Sequence, residues 1–317
     1  MCAAQFHRIF IFCRKFYAPI PTPHLKLEVV VDFQKTAANR TKANHRHFLF
    51  EPERYTASVS DTLVINEIYL SLQGESTFAG LPCVFIRLTA CDLRCSYCDS
   101  AYAFNEGKKK SLEEIRSEVR QLARPFFGGT SSASPQNQEL VELAPPNRLL
   151  PLVELTGGEP LLQKNSLPLM KLLCDDGFTV LLETSGALDI SPVDPRVRRI
   201  MDLKCPGSGE AGRNRWANLK LLKATDEIKF VIGTIEDYEW ATQQIVEHRL
   251  NVVCPLLFSW VHPLAPEQQN KSLKKVPAGQ TPVSRRELAE RIIADALPVR
   301  FQVQMHKIIW PPEQRGV

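Results

Sequence analysis

Three cysteines crowded into eight residues are the first feature of this sequence that could do chemistry. Cys91, Cys95 and Cys98 stand in the spacing C-x3-C-x2-C. On one loop, three thiolates can converge on an inorganic centre, and soft thiolates select zinc, copper(I) or iron–sulfur clusters. A closed zinc site takes four ligands, and the sequence has no second CxxC pair. Three ligands favour a cubane cluster in which one iron remains open to an outside ligand. The alternatives are three ordinary buried cysteines, or a CxxC redox pair with a third cysteine that takes no part.

The composition is that of an ordinary globular protein. Of the 317 residues, 44% are hydrophobic and 23% are charged, which argues against a disordered chain, a coiled coil or a collagen-like fibre. The longest apolar runs are far shorter than the roughly 20 residues that span a bilayer, so no membrane contact is expected. The net charge of +4 is mild and does not indicate direct nucleic-acid binding. Nine cysteines, an odd number in a long chain, favour free thiols in a reducing compartment, and we expect the cytoplasm.

The elements that must position the cysteines follow from the apolar patterning after residue 61. Short apolar runs predict strands at residues 63–70, 82–89, 149–155, 178–183, 200–204, 227–232, 252–258 and 300–304. Helices are predicted at residues 112–123, 167–175, 236–248 and 284–296, and Ser111 and Glu114 form a capping box at the first of them. Strands that alternate with helices indicate an α/β fold with a mainly parallel sheet. The cysteine loop follows the second strand, near the carboxyl end of the sheet.

Two segments differ from the rest of the chain. Residues 1–60 hold nine Lys or Arg against four Asp or Glu and show no helical or strand period. Their acid-free opening resembles an organelle transit peptide, but we predict a disordered extension or an upstream start codon chosen wrongly. Residues 125–148 are rich in Gly, Ser, Pro, Asn and Gln, which predicts a loop inserted at the surface.

The cysteine motif and a second motif resemble those of the radical S-adenosylmethionine (SAM) superfamily. The second motif is the run Thr156-Gly-Gly-Glu-Pro160, which follows a predicted strand. Two glycines allow a close approach between this backbone and a ligand. The resemblance implies an incomplete (β/α) barrel over residues 61–317, with a [4Fe–4S] cluster on Cys91, Cys95 and Cys98. In that superfamily SAM chelates the open iron, and a 5′-deoxyadenosyl radical removes hydrogen from the substrate.

The same resemblance implies a set of SAM contacts. These are expected from Tyr97, Asp99, Gly157, Gly158, Glu159, Ser185, Asp202, Lys204 and Pro255. No catalytic group beyond the cluster and SAM is implied.

Three further stretches resemble one family within this superfamily, the 7-carboxy-7-deazaguanine synthases. They are Ser71-Leu-Gln-Gly-Glu75, Phe85-Ile-Arg87-Leu and Phe301-Gln-Val-Gln-Met-His306, and the resemblance covers about residues 62–312. The family is a group of lyases of queuosine biosynthesis. It converts 6-carboxy-5,6,7,8-tetrahydropterin to 7-carboxy-7-deazaguanine with loss of ammonia.

The family resemblance assigns roles to residues of the substrate site. It implies substrate contacts from Leu72, Gln73, Gly74, Glu75, Arg87, Thr156, His306 and Pro312. Arg87 would hold the substrate carboxylate through two parallel hydrogen bonds. Mg²⁺ would bind Ser100, where much of the family has threonine, because it prefers oxygen ligands and takes others from the substrate.

Partners and rival functions complete the sequence-based hypothesis. The family implies a homodimer and an electron donor such as flavodoxin or ferredoxin. Many members end at the proline that matches Pro312 and contact substrate through its carboxylate, whereas residues 313–317 continue this chain. Either Glu313 replaces that contact or the tail folds away. The rival functions are another radical SAM activity, such as a glycyl-radical activase, and a zinc-binding module that binds RNA through its basic N-terminus.

Overall fold

One sheet of nine strands organises the part of the chain that the computed structural model describes, residues 61–126 and 151–317. The strands are β1 (Thr62–Leu72), β2 (Pro82–Leu88), β3 (Lys108–Ser111), β4 (Leu152–Gly157), β5 (Thr179–Thr184), β6 (Arg198–Asp202), β7 (Glu227–Ile232), β8 (Leu256–Trp260) and β9 (Arg300–Gln302). Their spatial order is β3-β1-β2-β4-β5-β6-β7-β8-β9. β1 runs antiparallel to both neighbours, and every pair from β2 to β9 is parallel. The sheet stays open, which confirms the predicted α/β class and incomplete barrel.

Five α-helices accompany the strands in these residues. They are α1 (Leu112–Ala123), α2 (Ser166–Asp175), α3 (Ile235–Glu247), α4 (Arg285–Ala294) and α5 (His306–Ile309). α1 begins where its capping box predicts, because the Ser111 hydroxyl accepts from the Glu114 N–H at 3.2 Å and the Glu114 carboxylate accepts from the Ser111 N–H at 2.7 Å. Within the described ranges, no helix is both long enough and apolar enough to cross a membrane.

The alternation of side chains along each strand gives the sheet two different faces. Val84, Ile86 and Leu88 of β2 point to the face that the helices cover and join the main apolar core. The intervening positions Cys83 and Phe85 point to the other face, where a second cluster packs Leu152, Leu181 and Ile200. Nearer the carboxyl ends, this second face carries polar residues instead. A concave surface with an apolar floor and a polar rim results.

Several predicted boundaries are corrected. β8 is predicted at residues 252–258 but begins at Leu256, because Leu250–Val252 forms a 3-10 turn and Val252 is 73% exposed. β6 spans Arg198–Asp202 and ends two residues before its predicted end. β3 and α5 are not predicted, since Lys108–Ser111 has no apolar period and α5 is one turn long. Residues 1–60 and most of the predicted insertion lie outside the described residues.

Candidate active site

A cavity of about 580 Å³ opens at the carboxyl ends of the parallel strands. Nineteen of the predicted site residues line it: Leu72, Gln73, Gly74, Glu75, Arg87, Cys91, Cys95, Tyr97, Cys98, Asp99, Ser100, Thr156, Gly157, Gly158, Ser185, Asp202, Lys204, His306 and Pro312. Glu159 and Pro255 do not line it. The loops that follow parallel strands meet at one edge of a sheet, so motifs that are distant in sequence share this cavity.

The cysteine loop follows β2 and forms one wall of the cavity. Its backbone is fixed between the cysteines, because the Ser96 N–H donates to the Ser208 carbonyl at 3.0 Å and the Arg94 N–H donates to the Glu210 carboxylate at 2.7 Å. Burial raises the pKa of Cys91 to about 11 and that of Cys98 to about 12. These thiols therefore stay protonated at neutral pH unless a cation stabilises the thiolate, which suits metal ligands better than nucleophiles.

The number of thiols on this wall bears on the kind of metal centre. Nowhere in residues 61–126 and 151–317 do three His, Cys, Asp or Glu side chains converge closely enough to hold a single metal ion. A zinc ion needs its thiolates about 2.3 Å from one centre, whereas a cubane cluster distributes them over separate irons. Three free cysteines line this wall, one fewer than a closed zinc site takes, and this number fits a cluster with one open iron.

The two glycines after β4 bring that strand against the start of the cysteine loop. A Cβ at Gly158 would lie 1.8 Å from the Ala90 carbonyl oxygen, and one at Gly157 would lie 2.3 Å from that of Leu88. The Glu159 N–H donates to the Ala90 carbonyl at 2.9 Å. The sequence suggested close approach to a ligand as the reason for both glycines. In the structure, both positions also require glycine because the backbone of Leu88 and Ala90 lies directly against them.

Two of the residues predicted to contact SAM do not line the cavity. The Glu159 side chain is fully buried, and its carboxylate accepts hydrogen bonds from the Ser185 N–H at 2.8 Å and from the Ser185 hydroxyl at 2.7 Å. It therefore positions Ser185, which does line the cavity. Pro255 is exposed and lies at the amino end of β8, whereas the cavity opens at the carboxyl ends of the strands. β8 begins four residues later than predicted, and the residues that line the cavity after it begin with Val261 and His262.

Polar atoms without partners lie beside the cysteines. The Tyr97 phenol oxygen and the Asp202 Oδ1 atom are buried and accept no hydrogen bond from the described part of the protein. The Asp202 Oδ2 atom accepts from the Lys204 ammonium at 2.7 Å. Buried polar atoms are normally hydrogen-bonded, so those on the cavity wall indicate a polar ligand. The amino, carboxylate and ribose groups of SAM fit such a wall.

Arg87 lies in a network that sequence reasoning found only in part. Its Nε donates to the Glu67 carboxylate at 2.7 Å and one Nη donates to the Tyr69 hydroxyl at 2.9 Å. The Tyr102 hydroxyl also donates to Glu67, at 2.9 Å. Burial opposes the charge of Arg87, but these neighbours hold its pKa above the ordinary value. Glu67 was missed; it lies opposite Arg87 in the β1–β2 register, which the sequence does not fix.

Three carboxylates and one buried lysine lie close together in the cavity. The Lys229 ammonium contacts Glu75 at 2.8 Å and also pairs with Glu183. The Thr156 hydroxyl donates to Glu183 at 2.9 Å, and the Gln73 amide donates to Glu154 at 2.6 Å. Lys229, Glu154 and Glu183 are not among the site residues that the sequence predicts. The available signal was a polar residue at alternate positions of otherwise apolar strands.

The C-terminal segment forms the opposite wall. His306 packs so closely on Gly74 that a Cβ there would lie 2.7 Å from the imidazole Nδ1. Lys307 pairs with Asp99 of the cysteine loop at 2.5 Å. Residues 313–317 also line the cavity, and Arg315 contacts Glu106 at 2.8 Å and stacks on Tyr102. Of the two alternatives for the tail, the structure therefore contradicts the one in which it folds away.

Comparisons with known proteins identify the superfamily. The family model of the radical SAM superfamily matches residues 85–258. Together with the open parallel sheet and the cysteine loop, this match defines a radical SAM enzyme, which uses a [4Fe–4S] cluster and SAM.

More specific relatives share most of the chain. The 7-carboxy-7-deazaguanine synthase of Koribacter versatilis is 43% identical over 255 residues, which are 80% of this chain and 99% of that protein. The one from Chlorobaculum tepidum is 38% identical over 263 residues, 82% of this chain and all of that protein. The chain belongs to the 7-carboxy-7-deazaguanine synthase family. The crystal structure of QueE from Escherichia coli shares the fold, with a TM-score of 0.53 and 21% identity over 77% of this chain and 95% of that one.

Proposed function

We propose that this enzyme converts 6-carboxy-5,6,7,8-tetrahydropterin to 7-carboxy-7-deazaguanine with loss of ammonia. The observation that carries the proposal is the position of Arg87, a cation that lines the same cavity as the cysteine loop and the carboxylates around Lys229. A planar substrate with one carboxylate and several N–H groups is complementary to one guanidinium and several carboxylate acceptors. Family membership supports the same reaction.

The cysteine side of the cavity would hold the cofactors. Cys91, Cys95 and Cys98 would bind the cluster, and Tyr97, Ser185 and Asp202 would contact SAM, together with Asp99, Gly157, Gly158 and Lys204. When bound, the cluster and SAM supply the one-electron chemistry that removes hydrogen from the substrate. The protein orients the reactants and excludes water around them.

Arg87 would bind the substrate carboxylate through the edge that its present partners leave open. Glu67 and Tyr69 use Nε and one hydrogen of Nη2, and Nη1 has no partner in the described residues. The Nη1–Nη2 edge can therefore donate two parallel hydrogen bonds to a carboxylate. Mg²⁺ would join the same carboxylate to the Ser100 hydroxyl, which lies 3.9 Å from the Cys98 sulfur.

The heterocyclic edge of the substrate would meet the carboxylates. The Gln73 side chain is hydrogen-bonded to Glu154 and to the Glu75 N–H, so it positions these two groups and does not contact the substrate itself. Glu75, Glu183 and the Thr156 hydroxyl would accept from or donate to the ring, together with the backbone of Leu72, Gln73 and Gly74. Burial lowers the pKa of His306, although Glu75 and Asp99 oppose the shift. A neutral imidazole on the opposite wall can both donate and accept a hydrogen bond.

The remaining expectations concern the setting of the enzyme. We propose one catalytic domain over residues 61–317, with residues 1–60 and the insertion at 125–148 outside its chemistry. We also propose a homodimer in the cytoplasm, with Pro312 at the substrate and an electron carrier of the flavodoxin or ferredoxin class. Direct contact with nucleic acid or membrane is not part of the proposal.

Product formation tests the proposal directly. Protein reconstituted without oxygen is incubated with dithionite, SAM, Mg²⁺ and 6-carboxytetrahydropterin, and 7-carboxy-7-deazaguanine is sought by mass spectrometry. We expect product from the wild type and from Cys174→Ala, which alters a cysteine that does not line the cavity. Cys95→Ala should give none, and Arg87→Lys should raise KM at least about tenfold because an ammonium cannot form the parallel pair. If only 5′-deoxyadenosine appears, the proposed substrate is wrong.

A further inference from the structure

The charge of this protein is distributed unevenly around the cysteine loop. From residue 61 to the end, 30 Lys or Arg nearly balance 31 Asp or Glu. Two loops depart from that balance. Residues 205–223, after β6, carry four Lys or Arg against one acid, and residues 262–283, after β8, carry three Lys against one acid. Both loops begin at carboxyl ends of strands, where the cavity opens.

Both loops contact the backbone between the cysteines. In the loop after β6, the Ser208 carbonyl accepts from the Ser96 N–H at 3.0 Å. The Glu210 carboxylate of the same loop accepts from the Arg94 N–H at 2.7 Å. The loop after β8 donates from the Lys274 N–H to the Arg94 carbonyl at 2.9 Å. Arg94 and Ser96 flank Cys95 directly. The basic loops therefore border the part of the surface nearest to the cluster ligands.

Four exposed residues on these loops form what we call the cluster-side basic patch, namely Arg213, Lys271, Lys274 and Lys275. Arg213 pairs with Asp92 of the cysteine loop at 2.7 Å. Lys274 pairs at 2.8 Å with Glu210, whose carboxylate also accepts from the Arg94 N–H, so both cations lie beside the cysteine loop. Lys271 and Lys275 have no ion-pair partner in the described residues. Charges left free beside fixed ones create a field that can steer an oppositely charged partner.

We propose that the cluster-side basic patch docks the acidic one-electron carrier protein that reduces the cluster. The inference rests on the proposed function, since a radical SAM enzyme needs one electron for each reduction of its cluster. The carrier loses one electron, the cluster gains it, and no covalent bond changes. Electron transfer weakens steeply with distance, so the carrier must dock where the cysteine loop reaches the surface. The positive charge at that place favours an acidic partner such as a flavodoxin.

Binding measured without catalysis tests the proposal. The probe is a purified acidic flavodoxin, titrated onto the full chain at about 50 mM and about 500 mM salt. We expect binding of the wild type to weaken with salt, because screening shortens the range of the attraction. Lys271→Glu/Lys275→Glu should weaken low-salt binding about tenfold. The matched control Lys171→Glu/Arg196→Glu makes the same charge change near the amino ends of the strands and should bind like the wild type.

A second readout separates docking from chemistry. With flavodoxin as reductant, the rate of SAM cleavage in the patch variant should fall about as much as the affinity, whereas with dithionite it should stay within about twofold of the wild type. Equal affinity of the patch variant and the wild type overturns the proposal, and so does equal weakening in the control variant. Retention of RNA by the wild type, lost in the patch variant while flavodoxin binding is unchanged, would assign the surface to nucleic acid instead. Absence of product with dithionite contradicts only the proposed function.

Discussion

Glu154 is a buried ionisable residue in the otherwise mostly apolar strand β4, and it lines the cavity. Burial, together with the nearby Glu183, raises its pKa to about 8 from an ordinary value near 4.5. Between these two pH values the unfolded chain has released the proton and the folded protein keeps it. The free energy of unfolding therefore falls as pH rises through this window and levels off above about pH 8.

Glu154→Gln should remove that part of the pH dependence, because the amide imitates the protonated acid. We expect the stability of the variant relative to the wild type to grow from pH 5 to pH 8 and then to stay constant. Urea unfolding at five pH values measures this difference. Glu113→Gln, at a position 69% exposed on α1, is the control and should change stability only a little. A constant difference for Glu154→Gln would show that the carboxyl is ionised throughout.

At the scale of elements, the turn after β4 positions the cysteine loop through backbone alone. Gly158→Ala places a methyl group 1.8 Å from the Ala90 carbonyl oxygen, so the turn and the loop must separate. We expect a loss of stability of about 1–3 kcal/mol and a lower iron content after reconstitution. Gly212→Ala is the matched control, because a Cβ there meets nothing within 4 Å. Equal iron content in the two variants would contradict this role of Gly158.

The elements that the sequence predicts well are those whose signal is local. The capping box at Ser111 defines the start of α1. β7 spans its predicted residues, and polar and apolar residues alternate over Glu227–Phe230. The cysteine loop and the Gly157-Gly158 turn are recognisable from spacing. Glu67 and Lys229 are not, because their roles depend on which strands become neighbours. The strand β8 was placed too early because an apolar run alone does not distinguish a strand from the turn before Pro255.

At the scale of the whole molecule, the C-terminal segment connects the two ends of an open sheet. Gln302 of β9 exchanges hydrogen bonds with Ser76, at 3.0 and 2.6 Å, and the Met305 N–H donates to the Gly74 carbonyl at 3.1 Å. Two ion pairs extend this connection to the segment after β2. That of Lys307 with Asp99 is largely buried, and that of Arg315 with Glu106 is more than half exposed at both side chains.

The two ion pairs should contribute very differently to stability. Lys307→Met leaves the Asp99 carboxylate without its cation in a place where water compensates poorly, and we expect a loss of about 3 kcal/mol. Arg315→Ala breaks an exposed pair and should cost less than about 1 kcal/mol. Urea unfolding midpoints compare the two variants, and Lys307→Met/Asp99→Asn should recover part of the loss because no charge then remains unpaired. Equal midpoints for Lys307→Met and Arg315→Ala would mean that the buried pair does not hold the C-terminal wall against the cysteine loop.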